Sequence, residues 1–168
     1  MIFRFFTALF TFLFLTACAP MQIQKTKSAD IEKKAKIVII PFYNYTQTPL
    51  AGYSAAALSQ VILQSHGYKT KAYGLQPDET ALFNENQTNR KNLAASFKQK
   101  GYRYLLQGEV TEWRYKSGID AEPVVGLVVT IIDLQNGKTT YSSAGSKTTL
   151  GSGSISQAAH NILDEILP

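Results

Sequence analysis

The chain has 168 residues, with 17 Lys and Arg against 12 Asp and Glu, giving a formal net charge of +5. One cysteine and two histidines exclude an intramolecular disulfide and a zinc site built from Cys and His clusters. The length predicts one ordinary domain, and the small, dispersed charge excess argues against a nucleic-acid partner.

The N-terminus has the organisation of a secretory signal peptide. Arg4 supplies the positive charge, and the apolar run from Phe5 to Leu15 would span roughly 16 Å as a helix, which is too short to cross a bilayer. The run ends in Leu-Thr-Ala-Cys, which resembles the lipobox of bacterial lipoproteins. The sequence therefore predicts cleavage before Cys18, a thioether-linked diacylglycerol on its thiol, and palmitate among the acyl chains; the alternative is a small buried cysteine after a hydrophobic helix. Ala19, in place of Asp, favours the periplasmic face of the outer membrane.

Three regions follow from this interpretation. Residues 1–17 are the signal peptide, 18–35 the lipidated cysteine and a flexible tether whose order the sequence does not decide, and 36–168 one globular domain. Cleavage leaves 168 − 17 = 151 residues and, by removing Arg4, lowers the formal charge to +4. Several tether lysines fit either a solvated linker or attraction to anionic lipid headgroups.

The first half of the domain alternates strands and helices. The apolar run 36–42 predicts a strand buried on both faces. Thr48 and Pro49 predict the N-cap and first residue of a helix that ends at Gly67. A short strand over 68–73 and a loop over 74–88 follow, and Asn89 is expected to cap a second helix ending at Gly101. Its inner face carries Leu93 and Phe97.

The second half predicts three strands and a helix. A long strand spans 102–116, and its apolar positions change phase near Thr111, which indicates a bulge or a departure from the core. A second apolar strand spans 124–132. Asn136-Gly137 predicts a hairpin into a polar strand over 138–149, nearer a sheet edge. Ser154 and Gln157 predict a capping box for the last helix.

The element order is therefore β-α-β-α-β-β-β-α. It predicts an α/β (α+β) fold with a mixed sheet of about five strands and three helices packed on it.

Signs of enzymatic chemistry are weak. No glycine-rich phosphate loop is present, and the sequence predicts no cofactor and no metal. His160 and Asp164 lie four apart on the last helix, which fits a surface hydrogen bond better than a catalytic pair. His66 precedes a helix end, where a partly positive side chain is favourable.

The most informative segment is Glu109 to Gly126. It concentrates the carboxylates of Glu112, Asp120 and Glu122 around Trp113, Arg114 and Tyr115. Acidic residues between two strands of a basic protein suggest a cation-attracting surface or a salt bridge between subunits. An ordinary solvated turn is the alternative.

The same segment resembles the PelC family of periplasmic outer-membrane lipoproteins, which act in Pel exopolysaccharide export during biofilm formation. The resemblance is carried by Val-Thr-Glu-Trp-Arg-Tyr-Lys at 110–116, Gly-Ile-Asp at 118–120, Glu122-Pro123 and Gly126. It extends to the lipobox, to Ile-Ile-Asp-Leu-Gln-Asn-Gly at 131–137 and to Ile-Val-Ile-Ile-Pro-Phe at 37–42. The last motif also occurs in TolB N-terminal domains, curli-secretion lipoproteins and penicillin-binding-protein activator lipoproteins. The fold is accordingly expected to be similar to TolB N-terminal-like domains.

The resemblance implies a non-enzymatic function. PelC-like subunits form a dodecameric ring thought to guide a cationic polysaccharide, rich in partly deacetylated N-acetylgalactosamine, to a PelB-like β-barrel porin. On that basis Asp120, Glu122 and Glu112 would guide the polymer. Arg114 would bridge neighbouring subunits, and Trp113 and Tyr115 would lie at a subunit contact or the membrane interface. Core packing is the alternative for Trp113. The net positive charge requires that the carboxylates be segregated on one face.

Two rival functions remain open from the sequence. One is a curli-type secretion pore, which needs long amphipathic strands. The other is a periplasmic regulator that binds a cell-wall enzyme.

Overall fold

The computed structural model describes residues 21–26, 31–74, 87–118, 121–148 and 153–168. The predicted signal peptide, Cys18, Ala19 and Asp120 lie outside these ranges, as does most of the predicted loop 74–88. The described elements are β1 (Gln22–Lys25), β2 (Lys36–Ile39), β3 (Tyr43–Asn44), α1 (Ala51–Ser65), β4 (Lys69–Ala72), α2 (Gln87–Gln99), β5 (Tyr104–Tyr115), β6 (Pro123–Asp133), β7 (Lys138–Thr148) and α3 (Ile155–Ile166).

All seven strands belong to one mixed sheet in the order β1-β7-β6-β5-β2-β4, with β3 paired to β5 beside β2. The strands β2, β3 and β4 run parallel to their neighbours, whereas β5, β6, β7 and β1 form antiparallel pairs. The predicted fold class and the three helices are confirmed. The sheet has two short strands more than expected, β1 and β3.

The two faces of the sheet are covered unequally. On the first face, α1 and α3 pack against the sheet and form the main hydrophobic core. On the second face, the apolar side of α2 covers β2 and the start of β5 through Leu93, Ala94 and Phe97. Apart from Ile132 of β6, which packs against the α2 cluster, the second faces of β6, β7 and β1 carry no described helix. We call this part, together with β5 beyond Leu105, the open face.

The predicted two-sided burial of the first apolar run is confirmed. Ile37 and Ile39 join the main core, while Val38 and Ile40 join the smaller cluster under α2. Full burial of each such side chain contributes roughly 1.5–3 kcal/mol. This run needs apolar side chains at every position because β2 lies between two helical layers.

Three helix starts test the capping predictions. The first helix begins at Ala51, after Leu50 in a left-handed conformation (φ 61), so Thr48 is not its N-cap. The Thr48 hydroxyl instead donates to the carbonyl of Trp113. The second helix begins at Gln87, which places Asn89 inside it. Ser154 does cap the last helix by accepting from the amide of Gln157, 3.0 Å away.

The predicted irregularity near Thr111 is a β-bulge. The register between β5 and β6 shifts between Val110 and Glu112, so Thr111 is the extra residue. Before the bulge, Tyr104, Leu106 and Val110 face the main core; after it, Trp113 does. The bulge thus reverses which positions of β5 reach the open face.

The hairpin between β6 and β7 is confirmed, but its loop has four residues rather than two. Asp133 pairs with Lys138 across it, and Gly137 takes a positive φ of 72°. The buried Asp133 carboxylate accepts hydrogen bonds from the Gln135 amide at 2.8 Å and from Arg103 at 2.9 Å. The hydrogen bond from Arg103 to the Asp133 carboxylate raises the pKa of Arg103 above its ordinary value.

Candidate functional site

The predicted site lies at the end of the sheet where β5 turns back into β6. Glu112, Arg114 and Lys116 follow one another at steps of two, so they project to the same side. The backbone amide of Lys116 donates to the carbonyl of Glu122 at 2.8 Å, which brings Glu122 beside this row. We call Glu112, Arg114, Lys116 and Glu122 the hairpin row.

The carboxylates of the hairpin row are paired within the chain. Arg114 Nε lies 2.9 Å from Glu112 Oε2, and Lys116 Nζ lies 2.9 Å from Glu122 Oε2. The Arg114–Glu112 pair is exposed, and exposed pairs contribute only about 0–1 kcal/mol to stability, whereas the Glu122 side chain is 17% exposed. Both pairs do, however, neutralise much of the negative charge that the sequence alone attributes to this segment. Asp120, the third predicted carboxylate, lies outside the described residues.

The two aromatic residues of the segment have different environments. Trp113 is 6% exposed and belongs to the main core. Tyr115, two positions further along β5, is about half exposed. In the isolated chain, therefore, only the Tyr115 ring has substantial surface available to a membrane or a neighbouring subunit. The assigned contact roles of Trp113, Tyr115 and Arg114 stay predictions.

One carboxylate of the segment was not among the predicted site residues. Glu109 is half-buried on the open face, opposite Val128 of β6. No ion pair of Glu109 occurs within the described ranges. The signal was present in the sequence: Leu106 and Val110 face the core, so Glu109 between them must face the other side.

The histidines do not form the expected pair. Asp164 Oδ1 forms its hydrogen bond with Nε2 of His66, 3.0 Å away, rather than with His160, and Nδ1 of His66 lies 3.0 Å from the carbonyl oxygen of Pro168. These contacts tie the end of α1 to the end of the chain. The sequence pattern missed them because they join residues about a hundred positions apart.

The described residues also bear on metal binding and on membrane spanning. Within those ranges, no three His, Cys, Asp or Glu side chains are grouped so as to hold a metal ion. No described helix is long and apolar enough to span a membrane.

The sheet topology places the start of β1 near the hairpin row. Because β1, β7, β6 and β5 are successively antiparallel, Gln22, Thr148, Pro123 and Tyr115 all lie at one end of the sheet. Gln22 pairs with Ser146 of β7 at this end. The chain therefore enters the fold at the same end of the sheet as the predicted site.

Comparison with solved structures identifies a similar protein. A dodecamer of PelC from Paraburkholderia phytofirmans matches with a TM-score of 0.74 and 28% identity, covering 88% of this chain and 95% of that chain. A variant of the same dodecamer matches with a TM-score of 0.75 and 27% identity, covering 88% and 96%. The chain is similar to PelC. This confirms the resemblance drawn from the segment around Trp113, and the match to PelC extends over nearly the whole PelC chain.

A more distant structure shares the fold alone. Lipoprotein GNA1162 from Neisseria meningitidis matches with a TM-score of 0.56 and 19% identity over 79% of this chain and 97% of that chain. No protein-family model matches the sequence, and neither does any curated protein. Similarity to PelC therefore carries the functional comparison.

Proposed function

We propose that this chain is a non-enzymatic lipoprotein subunit of a ring on the periplasmic face of the outer membrane. The ring guides a cationic exopolysaccharide of the Pel type to a β-barrel export porin. The observation that carries the proposal is the similarity to PelC, which forms a dodecamer, over 88% of this chain and at least 95% of that one.

The position of β1 supports a membrane-proximal hairpin row. Four residue steps separate Cys18 from Gln22 (22 − 18 = 4), and a fully extended chain spans at most roughly 14 Å over that length. Lipid on Cys18 would therefore hold this end of the sheet close to the bilayer. Tyr115 lies at the same end, where an amphipathic ring is suited to the membrane interface.

The guiding mechanism is electrostatic. Repetition of a subunit around a ring repeats its surface carboxylates around one passage, and a passage of one sign concentrates counter-charged polymer. Glu112 and Glu122 contribute to this field less than free carboxylates because Arg114 and Lys116 lie against them. In this proposal Asp120 therefore supplies a large share of the net charge at the hairpin. Arg114, which is 57% exposed, also bridges to the adjacent subunit.

The proposal has two experimental consequences. The full-length lipoprotein, purified in detergent, should show a mass many times that of one chain by native mass spectrometry. A strain carrying Asp120→Ala with Glu122→Ala should secrete less polysaccharide while the lipoprotein still reaches the outer membrane. A matched control, Glu32→Ala with Glu165→Ala, removes two exposed carboxylates elsewhere and should leave secretion unchanged.

Two results would refute the proposal. A single-chain mass at every concentration would exclude the ring. Equal secretion in the double variant and the control would leave the carboxylates of the hairpin without the guiding role.

A further inference from the structure

Five side chains form one registered row across the open face. Gln24 pairs with Ala144, Ala144 with Val128, Val128 with Glu109, and Glu109 with Tyr43. Paired residues of neighbouring strands project to the same face, and strands lie about 4.8 Å apart, so the row extends for roughly 19 Å. We call this set the central row.

Polar rows flank the central row on both sides. Their side chains end in amides, hydroxyls and one carboxylate: Gln22, Ser146 and Glu112 on one side, and Ser142, Thr130 and Gln107 on the other.

Small residues leave two hollows in this surface. The hollows have volumes of about 270 Å³ and 490 Å³, and they share Gln24, Val128 and Ala144. Gly126 helps to keep the surface hollow because it has no side chain. A Cβ at this position would lie 2.5 Å from the Thr111 hydroxyl, which the bulge places over Gly126. The open face is therefore a shallow groove with hydrogen-bonding walls and a small apolar floor at Val128 and Ala144.

A pair of tyrosine rings stands at one end of the central row. The rings of Tyr43 and Tyr45 are nearly parallel (15°), with centroids 6.3 Å apart, and Tyr45 is 67% exposed. Their backbone is fixed, because the Tyr45 amide donates to the Val110 carbonyl and Asn44 bonds the turn that follows. An exposed ring on a fixed backbone can offer its face to a ligand at little cost in conformational entropy.

The charge of the three rows is opposite in sign to that of the chain. The chain carries a net +5, yet the rows contain two carboxylates, Glu109 and Glu112, and neither Lys nor Arg. Lys25, outside the rows, lines the larger hollow at its β1 side. Arg114 lies two residues further along β5 than Glu112, outside the three rows on the side of the β5–β6 turn, and pairs with Glu112. Glu109, in the centre, has no ion pair within the described residues. A ligand with scattered positive charges and many hydroxyls complements this surface.

We infer that the open face binds a segment of an amine-bearing polysaccharide along the central row. One sugar stacks its apolar C–H face on Tyr45, because pyranose C–H groups carry partial positive charge and aromatic faces partial negative charge. The ammonium of a deacetylated sugar lies against Glu109, and sugar hydroxyls bond to Gln24 and the flanking rows. The polymer class rests on the proposed function; the site shares Glu112 with the hairpin row, and its other residues are distinct from that row.

The test measures saccharide binding to the full-length lipoprotein in detergent by titration calorimetry. The probes are a partly deacetylated galactosamine hexasaccharide and its fully N-acetylated counterpart. Tyr45→Ala should weaken binding of both roughly three- to tenfold, whereas Tyr45→Trp should retain it. Glu109→Gln should weaken only the deacetylated probe, because it removes charge and keeps shape.

Val61→Ala on α1 is the matched control, since Val61 is equally exposed on the other side of the protein. It should bind both probes like the unmodified protein. Unchanged affinity in both Tyr45→Ala and Glu109→Gln would overturn the inference. So would a loss of oligomer mass without any change in saccharide affinity, because the open face would then be a contact between copies.

The outcome is distinguishable from that of the proposed function. If the Asp120 and Glu122 double variant blocks secretion while Tyr45 and Glu109 variants bind normally, the ring proposal stands and the open-face site fails. If the saccharide binds as expected but no ring forms, the open-face site stands and the ring proposal fails.

Discussion

Under the proposed lipid anchoring at Cys18, the strand β1 sets how freely the domain can move relative to the membrane, and a single proline tests this. The Thr26 amide donates to the Ser142 carbonyl at 3.0 Å. In an antiparallel pair alternate residues bond towards the partner, so the Gln24 amide also faces β7 and the Lys25 amide faces away. Gln24→Pro should therefore disrupt the pairing with β7, whereas Lys25→Pro should be tolerated at this sheet edge.

The lost hydrogen bond sets how often β1 detaches in Gln24→Pro, and the length of the released chain sets how far the domain can then move. An unsatisfied Ala144 carbonyl costs roughly 1–3 kcal/mol, and 2 kcal/mol shifts the equilibrium towards detached β1 about thirtyfold. With β1 detached, the next fixed residue is the buried Ile31, 31 − 18 = 13 steps from Cys18. The maximum reach from the lipid then grows from roughly 14 Å to roughly 45 Å.

Energy transfer can measure this distance. The full-length protein is reconstituted in vesicles with acceptor dyes on the headgroups, and a donor is attached through Tyr115→Cys, since in the proposed lipoprotein the thiol of Cys18 carries lipid. Gln24→Pro should lower transfer, while Lys25→Pro and the side-chain control Gln24→Ala should match the parent protein. Equal transfer in both proline variants would refute the reasoning.

Two further predictions concern stability. Arg114→Ala should change the free energy of unfolding by no more than about 1 kcal/mol, because its pair with Glu112 is exposed, yet should shift native mass spectra to smaller assemblies. A large loss of stability with an unchanged assembly would contradict the bridging role. Burial raises the pKa of the Tyr141 hydroxyl in the folded protein above its value of about 10 in the unfolded chain. The neutral hydroxyl therefore contributes fully to stability below about pH 10, and this contribution is lost as the pH rises through the pKa of the folded protein. Tyr141→Phe should cost about 1 kcal/mol at neutral pH, by losing the bond to the Ile166 carbonyl, and should flatten the decline in urea-unfolding free energy above about pH 10. An equally steep decline of the unfolding free energy in Tyr141→Phe would show that titratable groups other than Tyr141 cause it.

The strands that bury apolar side chains were predictable from the sequence, and the polar ones were not. β2 shows an unbroken apolar run because both its faces are covered, and the change of phase at Thr111 located the bulge. β1, by contrast, reads Gln-Ile-Gln-Lys and offers one apolar side chain. Its pairing with β7, more than a hundred residues away, is a tertiary effect with no local signal.

The candidate site was predictable in composition but not in charge. Glu112, Arg114 and Lys116 are two residues apart on a strand, so the sequence already implies that their side chains project to the same face, with an acidic side chain next to basic ones. Counting carboxylates alone overstated the negative charge, since Arg114 and Lys116 each neutralise one. Among the described residues, Glu109 has no basic neighbour in the three rows of the open face, and recognising this required the registers of five strands.

The outer strands of the sheet limit how copies can assemble. β4 is the outer strand on one side, and its Lys69 and Lys71 are both exposed. β1 is the outer strand on the other side and has four residues, ending in Lys25. Short edge strands with lysine resist pairing with another sheet, because docking would bury charge. We therefore expect neighbouring subunits to meet through the β5–β6 turn and the helical side rather than by extending the sheet, which leaves the open face available to the polymer.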